Sequence, residues 1–219
     1  MKHNNKEIAV IGLGTFGYEV ATKLYESGHS VLAVDKNAEI INKIKDKVTI
    51  AVQADVTDED ILKKLDFEKF NKVILGMSDS LETLILAVTH LKKLNINSIV
   101  VKANTHIQKE ILLKIGADEV IQPEVTMAHM LVRKISYPYV LESLTVDSKN
   151  SLIEISVPEK FSGKTLRELD LRNKYGIIVI LKSEKDRYHI VTNPDTILFQ
   201  AEKIFVAGEE TKILEVFNE

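Results

Sequence analysis

The sequence predicts an α/β protein in which a parallel sheet has helices on both faces and is followed by a small α+β domain. In the first part of the chain, short runs rich in β-branched residues alternate with helical patterns, which is typical of parallel strands joined by right-handed crossovers. From residue 145 onward this alternation stops, and strands with strict apolar–polar alternation follow. We expect domains at 1–124 and 145–219, joined by a crossover helix and linker at 125–144.

Composition narrows the classes of function. The 219 residues carry a formal net charge of −3 without a basic tract, which excludes an electrostatic footprint for nucleic acid. Cysteine is absent, which excludes disulfides, thiolate metal sites and a cysteine nucleophile. No apolar run approaches the roughly 20 residues of a membrane helix, and residues 1–7 are polar, unlike a signal peptide. We therefore expect a soluble, cytoplasmic protein without direct membrane insertion.

A glycine-rich turn organises the first domain. The apolar run at 8–11 leads directly into Gly12-x-Gly14-x-x-Gly17, and a helical pattern follows at once. In this setting Gly12 permits a tight turn, Gly14 lets the backbone approach a phosphate, and Gly17 lets the helix pack closely on the strand. The helix N-terminus offers unpaired N–H groups and a partial positive charge to an anion. This order predicts a Rossmann-like nucleotide-binding domain.

Acidic residues end the next two predicted strands. Asp35 lies 18 residues beyond Gly17, where a dinucleotide fold places a carboxylate on the ribose hydroxyls and disfavours NADP. The alternative role for Asp35 is the N-cap of the helix predicted at 37–45. Asp55 either faces an adenine amino group or serves as a cap or turn residue. We expect the ligand at the carboxyl ends of the strands, where the glycine turn, Asp35, Asp55, 76–79 and 102–104 converge.

The sequence offers little evidence for catalysis. A dehydrogenase needs an acid, a base or a tyrosine in a substrate domain that faces the nicotinamide. His129 and His189 stand alone, since neither is paired by spacing with a carboxylate or a second base. We expect a protein that is not an enzyme, and an NAD-dependent oxidoreductase is the alternative function.

Several segments together resemble the RCK family, the regulators of potassium conductance, and specifically the cytosolic subunits of Ktr/Trk-type potassium uptake systems. The segments are GLGTFG at 12–17, AVDKN at 33–37, VKAN at 101–104, IGADEVIQPE at 115–124 and LDLRNKYGIIVI at 169–180. The last two are more specific than the glycine turn, and the similarity covers nearly the whole chain. The predicted layout of two domains with a crossover helix is also that of the family.

The resemblance implies a nucleotide-binding gating subunit of a potassium channel or transporter. Such subunits form homodimers and then an octameric ring under a membrane potassium-translocating subunit, at the inner face of the plasma membrane. ATP or ADP is the main implied ligand, with NAD(H) or AMP as alternatives. The implied nucleotide-binding residues are Gly12, Gly14, Thr15, Phe16, Gly17, Asp35, Lys36, Asp55, Gly76 and Lys102.

Two further sites follow from the resemblance. Glu124 matches an acid that helps to hold a divalent cation, Mg2+ or Ca2+, near the nucleotide phosphates; spacing alone favours a cap on the following helix. In the C-terminal domain some relatives bind cyclic di-AMP at a dimer interface. There Arg172 would face a phosphate and Ile178 would lie near the base, whereas a surface ion pair is the simpler role for Arg172.

The chain departs from the family at one position. Many Ktr-type sequences carry arginine between the second and third glycines, and here the residue is Thr15. Without that guanidinium, either another cation assists a triphosphate or the preference moves towards ADP, AMP or a dinucleotide. A free-standing nucleotide-binding protein without a channel partner is a third hypothesis for the function.

Overall fold

A computed structural model describes residues 6–77, 80–185 and 187–218. The predictions placed on residues 1–5, and on Ser78 and Asp79 near the expected ligand edge, fall outside these ranges. The chain divides into two compact units, and the boundary lies between Thr126 and Met127.

The N-terminal unit is built on one parallel sheet of six strands in the order β3-β2-β1-β4-β5-β6. The strands are β1 (Glu7–Ile11), β2 (Ser30–Asp35), β3 (Ile50–Gln53), β4 (Lys72–Leu75), β5 (Ile99–Lys102) and β6 (Glu119–Ile121). The helices between them are α1 (Thr15–Glu26), α2 (Ala38–Ile44), α3 (Glu59–Lys64), α4 (Leu81–Lys93) and α5 (His106–Lys114). The strand order turns back at β1, between β2 and β4, which is where such sheets open a crevice for a ligand.

Helices cover both faces of this sheet because successive strand residues point to opposite sides. Ala9 and Ile11 of β1 face a core that includes Leu84 of α4 and Leu112 of α5. Ile8 and Val10 face a second core that includes Ala21 of α1 and Ile44 of α2. The predicted Rossmann-like sheet with helices on both faces is confirmed.

Helix α6 (Pro123–Ser136) crosses the boundary between the units. It begins two residues before the crossover helix and linker predicted at 125–144. Pro123 occupies the first helical position, where a missing N–H costs no hydrogen bond and the fixed φ suits the helix.

The C-terminal unit contains an antiparallel sheet of five strands in the order β11-β10-β13-β8-β7, and a separate pair, β9 with β12. Its strands are β7 (Val140–Thr145), β8 (Asn150–Ser156), β9 (Lys164–Thr165), β10 (Ile178–Glu184), β11 (Arg187–Ile190), β12 (Ile197–Leu198) and β13 (Lys203–Glu209). Its helices are α7 (Leu166–Leu169), α8 (Leu171–Tyr175) and α9 (Glu210–Asn218). The predicted small α+β domain is confirmed.

Strand β7 lies in the range that the sequence analysis assigned to a crossover helix and linker. A bulge between Val140 and Glu142 shifts the register against β8, so apolar and polar residues do not alternate cleanly along this strand. Helix α7 begins with a capping box. Thr165 accepts a hydrogen bond from the Glu168 N–H, and the Glu168 carboxylate accepts one from the Thr165 N–H.

Candidate nucleotide-binding site

The carboxyl edge of the parallel sheet brings the predicted nucleotide-binding residues of the N-terminal unit to one side. The glycine turn follows β1, Asp35 ends β2, and Gly76 follows β4. Lys102 ends β5, next to β4 in the sheet, and Asp55 follows β3 at the sheet margin. Because all strands are parallel, these positions share one edge of the sheet, as the sequence predicted.

Three of the glycines at this edge are required by the packing of the chain on itself. Gly12 has a φ of +82°, and a Cβ there would lie 2.5 Å from the Met77 Cβ. A Cβ on Gly17 would overlap the Gly12 carbonyl oxygen, and one on Gly76 would lie 2.9 Å from the Gly17 Cα. The turn, the first turn of α1 and the end of β4 are thus in contact through their backbones.

Gly14 differs from the other three glycines. It has a φ of −60° and a ψ of −177°, an extended conformation that alanine also adopts. Apart from the neighbouring residues Leu13 and Thr15, no heavy atom of the described residues lies within 4 Å of a Cβ built at this position. The fold therefore gives no reason for glycine here, and the open space lies where a phosphate would approach.

The N-terminus of α1 has the properties of an anion site. Gly14 is its N-cap and supplies no side-chain hydrogen bond to the first turn, which also holds no acidic residue. Thr15 is exposed in that turn, and Phe16 is half-buried. The first N–H groups of a helix have no partner within the helix, and the helix dipole adds a partial positive charge. These groups therefore suit the phosphate of a nucleotide.

Asp35 connects the glycine turn with the turn after β2. Its Oδ2 accepts a hydrogen bond from the Leu13 N–H at 2.6 Å, and its Oδ1 accepts one from the Asn37 N–H at 2.8 Å. The alternative role as the N-cap of α2 is wrong, because Asn37 is the N-cap and accepts from the Glu39 N–H. The Asp35 carboxylate thus lies directly beside the glycine turn.

Asp55 forms a turn after β3. Its Oδ1 accepts hydrogen bonds from the Thr57 N–H at 3.0 Å and from the Thr57 hydroxyl at 2.8 Å. These two bonds, with a smaller contribution from the Lys36 charge, hold the pKa of the Asp55 carboxyl below its ordinary value. The turn role is therefore observed. Lys36 is itself exposed, and its carbonyl oxygen accepts from the Gln53 side chain.

Lys102 and Glu124 form an ion pair with 2.5 Å between Nζ and Oε1. The Lys102 side chain is 8% exposed, whereas that of Glu124 is 65% exposed. The hydrogen bond from Lys102 lowers the pKa of the Glu124 carboxyl, and the Glu124 N–H adds to this effect. The predicted phosphate ligand and the predicted cation ligand are therefore in contact with each other.

The described residues contain no cluster of three or more histidine, aspartate or glutamate side chains that could hold a metal ion. Among the described residues, Glu124 is therefore not part of such a cluster, and a cation there would need other ligands. A divalent cation usually takes six or more oxygen ligands, so the remaining ones would have to come from phosphates, water or another subunit.

The residues predicted for cyclic di-AMP lie in the C-terminal unit. Arg172 is the second residue of α8 and is exposed. Ile178 begins β10, pairs with Ala207 of β13, and is 48% exposed. His129 in α6 and His189 in β11 are also exposed.

Sequence reasoning missed three features of the edge. Nothing in the pattern indicated the Leu13 N–H as a partner of Asp35, because a backbone donor leaves no sequence signal. Met77, which packs against Gly12, also gave none. The pairing of Lys102 with Glu124 gave no signal either, because it depends on the strand register that places Lys102 beside Ile121, three residues before Glu124.

Comparison with known proteins identifies the family. The TrkA-N domain model matches residues 8–123, and the TrkA-C domain model matches residues 152–219. Ktr system potassium uptake protein C of Bacillus subtilis (strain 168) is 36% identical over 211 residues, which covers 95% of this chain and 94% of that protein. The chain belongs to the RCK family of the Ktr and Trk type. Ktr system potassium uptake protein A of Vibrio alginolyticus is 34% identical over 215 residues and 97% of each chain.

Solved structures of RCK proteins share the fold. The crystal structure of the GsuK RCK domain has a TM-score of 0.65 at 19% identity and covers 100% of this chain and 48% of that chain. The GsuK channel bound to NAD has a TM-score of 0.66 at 18% identity, over 100% of this chain and 40% of the channel chain. The present chain thus spans less than half the length of either GsuK chain.

No helix in the described ranges is both long and apolar enough to cross a membrane.

Proposed function

We propose that the chain is a nucleotide-binding regulatory subunit of a potassium-uptake system and that it is not an enzyme. The observation that carries nucleotide binding is the open space at Gly14, in front of the uncapped N-terminus of α1. The potassium role is supported by two Ktr system potassium uptake proteins, which are 36% and 34% identical over nearly the whole chain. Regulation follows if the nucleotide binds one conformation of the subunit more tightly than another.

We assign the phosphates to the N-terminus of α1 and the ribose to Asp35. Each Asp35 oxygen already accepts one backbone N–H, and a carboxylate offers about four acceptor sites, so ribose hydroxyls still have acceptors there. ADP or ATP is the proposed ligand, with NAD(H) and AMP as alternatives. Thr15 provides a hydroxyl but no charge, so a third phosphate gains no cation from this position. Phe16, Lys36, Asp55 and Gly76 complete the proposed site.

The proposed cation site uses Glu124 as one ligand of Mg2+ or Ca2+. The carboxylate is exposed, and contact with Lys102 lowers its pKa. A cation at Glu124 would compete with the Lys102 ammonium, which would then be available to a phosphate. Cation and nucleotide are therefore expected to bind together.

The proposed assembly is a homodimer within an octameric ring, held at the inner face of the plasma membrane by a membrane potassium-translocating subunit. Helix α6 supports self-association, because Met127, Leu131 and Ile135 are each about 60–70% exposed and no residue of α6 is buried. Arg172 and Ile178 are proposed to bind cyclic di-AMP where two C-terminal units meet, with the guanidinium on a phosphate. Native mass spectrometry tests the assembly.

Calorimetric titration tests the ligand. ATP, ADP, AMP, NAD, NADH and cyclic di-AMP are titrated into the full chain, with and without Mg2+ or Ca2+. The G14A variant is the matched control, because its Cβ would contact no residue of the described chain beyond its two neighbours and would still enter the phosphate space. Binding of a nucleotide that is weakened in G14A supports the proposal, and equal affinity of both proteins contradicts it.

Potassium flux tests the regulatory role. A Ktr-type membrane subunit is reconstituted in vesicles with the wild-type chain or with G14A, and uptake is measured with and without the nucleotide that binds. We expect uptake to respond to nucleotide only with the wild-type chain. If potassium uptake is the same with and without the chain, the chain is a free-standing nucleotide-binding protein. Sustained NADH oxidation with hydroxy acids would indicate an oxidoreductase.

A further inference from the structure

We propose that the C-terminal unit carries a second ligand site, a groove that binds a small organic anion with an aromatic body. The groove lies between α8, α9 and the 3-10 turn Glu159–Phe161, and it has a volume of about 440 Å3. Sites for small molecules have volumes of roughly 300–1,000 Å3, so the groove can hold one such molecule. The inference does not depend on the nucleotide site of the other unit.

The floor of the groove is apolar and rigid. It is lined by three side chains that are almost fully buried, namely Phe161 (9% exposed), Leu171 (4%) and Val216 (9%). The Phe161 ring is held by an edge-to-face contact with Phe217, with 5.2 Å between the ring centres. Tyr175, which is 41% exposed, adds an aromatic side wall. A flat ring would therefore contact aromatic and aliphatic carbon on two sides.

The rim of the groove is positively charged. Among the described residues, the rim is lined by three lysines, Lys160, Lys174 and Lys212, and by one carboxylate, that of Glu215. The Lys212 ammonium is partly neutralised, because it lies 3.1 Å from the Glu209 carboxylate outside the groove. Lys174 has no ion-pair partner in the part of the chain that the structure describes. The charge of the rim is thus complementary to a phosphate or carboxylate.

The position of Lys160 connects the rim to the floor. Its ammonium lies 5.1 Å from the centre of the Phe161 ring, over the aromatic surface that a bound ring would share. A ligand whose anionic group follows directly after an aromatic ring would place that group near Lys160 and Lys174. The proposed class is therefore an aryl phosphate or an aryl carboxylate, and not a neutral or cationic compound.

This groove is distinct from the residues predicted for cyclic di-AMP. Arg172 and Lys174 lie on the same helix, but two residues correspond to about 200° around a helix of 3.6 residues per turn. Arg172 is not among the residues that line the groove. Ile178, in β10, does not line the groove either.

Calorimetric titration of the full chain with 1-naphthyl phosphate tests the proposal, with inorganic phosphate and 1-naphthol as the two separate parts of the probe. We expect saturable binding of the whole probe, and weaker binding of each part. The variants K160Q and K174Q should each reduce the affinity by about fivefold or more, since each removes one charged partner of the anion. The control K164Q, a lysine of β9 outside the groove, should bind the probe like the wild type.

Two further measurements exclude misfolding of the variants and binding of the probe to the N-terminal unit. Circular dichroism of each variant establishes that it is folded, and the probe is also titrated into G14A to separate this groove from the N-terminal unit. Binding that persists in G14A and falls in K160Q and K174Q supports the proposal. An absence of saturable binding, equal affinity of K174Q and K164Q, or loss of binding in G14A would overturn it.

Discussion

The Asp35 carboxylate, at the end of β2, accepts a hydrogen bond from the Leu13 N–H of the glycine turn at 2.6 Å. This contact joins the residue predicted to hold the ribose to the turn predicted to hold the phosphates. The same carboxylate accepts from the Asn37 N–H, so it also fixes the start of α2. The proposed ligand-binding role of Asp35 and its observed structural role therefore depend on the same two oxygens.

We predict that D35A weakens nucleotide binding and also lowers the free energy of unfolding by about 1–3 kcal/mol, because two backbone donors lose a charged partner. D35N is the matched variant, since its one carbonyl oxygen retains one of the two bonds, and its loss of stability should be smaller. Urea unfolding and calorimetric titration measure the two effects. Unfolding midpoints of both variants equal to that of the wild type would contradict the structural role.

The glycine turn gives a second prediction. G17A should destabilise the protein by about 3 kcal/mol or more, because the added Cβ overlaps the Gly12 carbonyl oxygen and neither backbone segment can move freely. G14A should change the free energy of unfolding by less than about 0.5 kcal/mol while reducing nucleotide affinity about tenfold or more. Thermal unfolding and titration of both variants separate the roles. A large loss of stability in G14A would show that the turn needs glycine at position 14 for folding.

The Lys102–Glu124 pair predicts a dependence of stability on pH. A double-mutant cycle of K102M and E124Q should give a coupling of about 0.5–1 kcal/mol at neutral pH, a small value because the Glu124 side chain is 65% exposed and screened by water. The folded-state pKa of Glu124 lies below its ordinary value of 4.5. The coupling should therefore be complete above about pH 4.5 and disappear as the pH falls through the lower folded-state pKa.

Urea unfolding of the four proteins of the cycle between pH 3 and pH 7 measures this coupling. The direction of the pH dependence is informative, because a carboxyl whose pKa is raised in the folded state would lose its contribution to stability as the pH rises. A coupling that stays constant across that range would show that the pair contributes nothing through the charge of Glu124.

The C-terminal unit contains a polar network that ties three elements to α6. The Arg133 guanidinium donates to the Glu210 Oε1 at 2.7 Å and to the Ser143 hydroxyl at 2.5 Å. The Ser151 hydroxyl donates to the Glu210 Oε2 at 2.6 Å, and Ser151 is only 1% exposed. Removal of either charged partner would leave buried or half-buried polar groups unsatisfied.

We predict that R133M lowers the free energy of unfolding by about 1–3 kcal/mol and increases amide exchange in β7 and β8. The control is R167M, which breaks the Arg167–Asp195 ion pair of the same unit, where both side chains are about 60% exposed. Its unfolding midpoint should match that of the wild type because exposed pairs contribute little. Equal exchange rates in β7 for R133M and the wild type would contradict the role of the network.

Much of the fold was predictable because its signals are local. The glycine turn, the alternation of strands and helices, and the Thr165 capping box all lie within a few neighbouring residues, so the sequence shows them directly. Strand β7 was not predicted because the bulge after Val140 breaks the alternation that identifies a strand. The short pair of β9 and β12 is held by contacts between distant segments, which no local pattern reveals.

The site was predictable only in part. The positions of Gly12 and Asp35 follow from the order of the elements, but their contacts depend on backbone atoms that carry no sequence signal. The pairing of Lys102 with Glu124 depends on the register of β5 against β6, which is fixed by packing of the whole sheet. Where a residue lies at the sheet edge is therefore easier to predict than what it contacts.

The contrast between Gly14 and Gly17 means that two kinds of selection act on positions three residues apart in one glycine motif. A library screened only for folded, soluble protein should accept small side chains at position 14 and reject them at position 17. The same library screened for potassium-dependent growth should reject them at both. Positions whose tolerance differs between the two screens would outline the bound ligand without any need to know its identity.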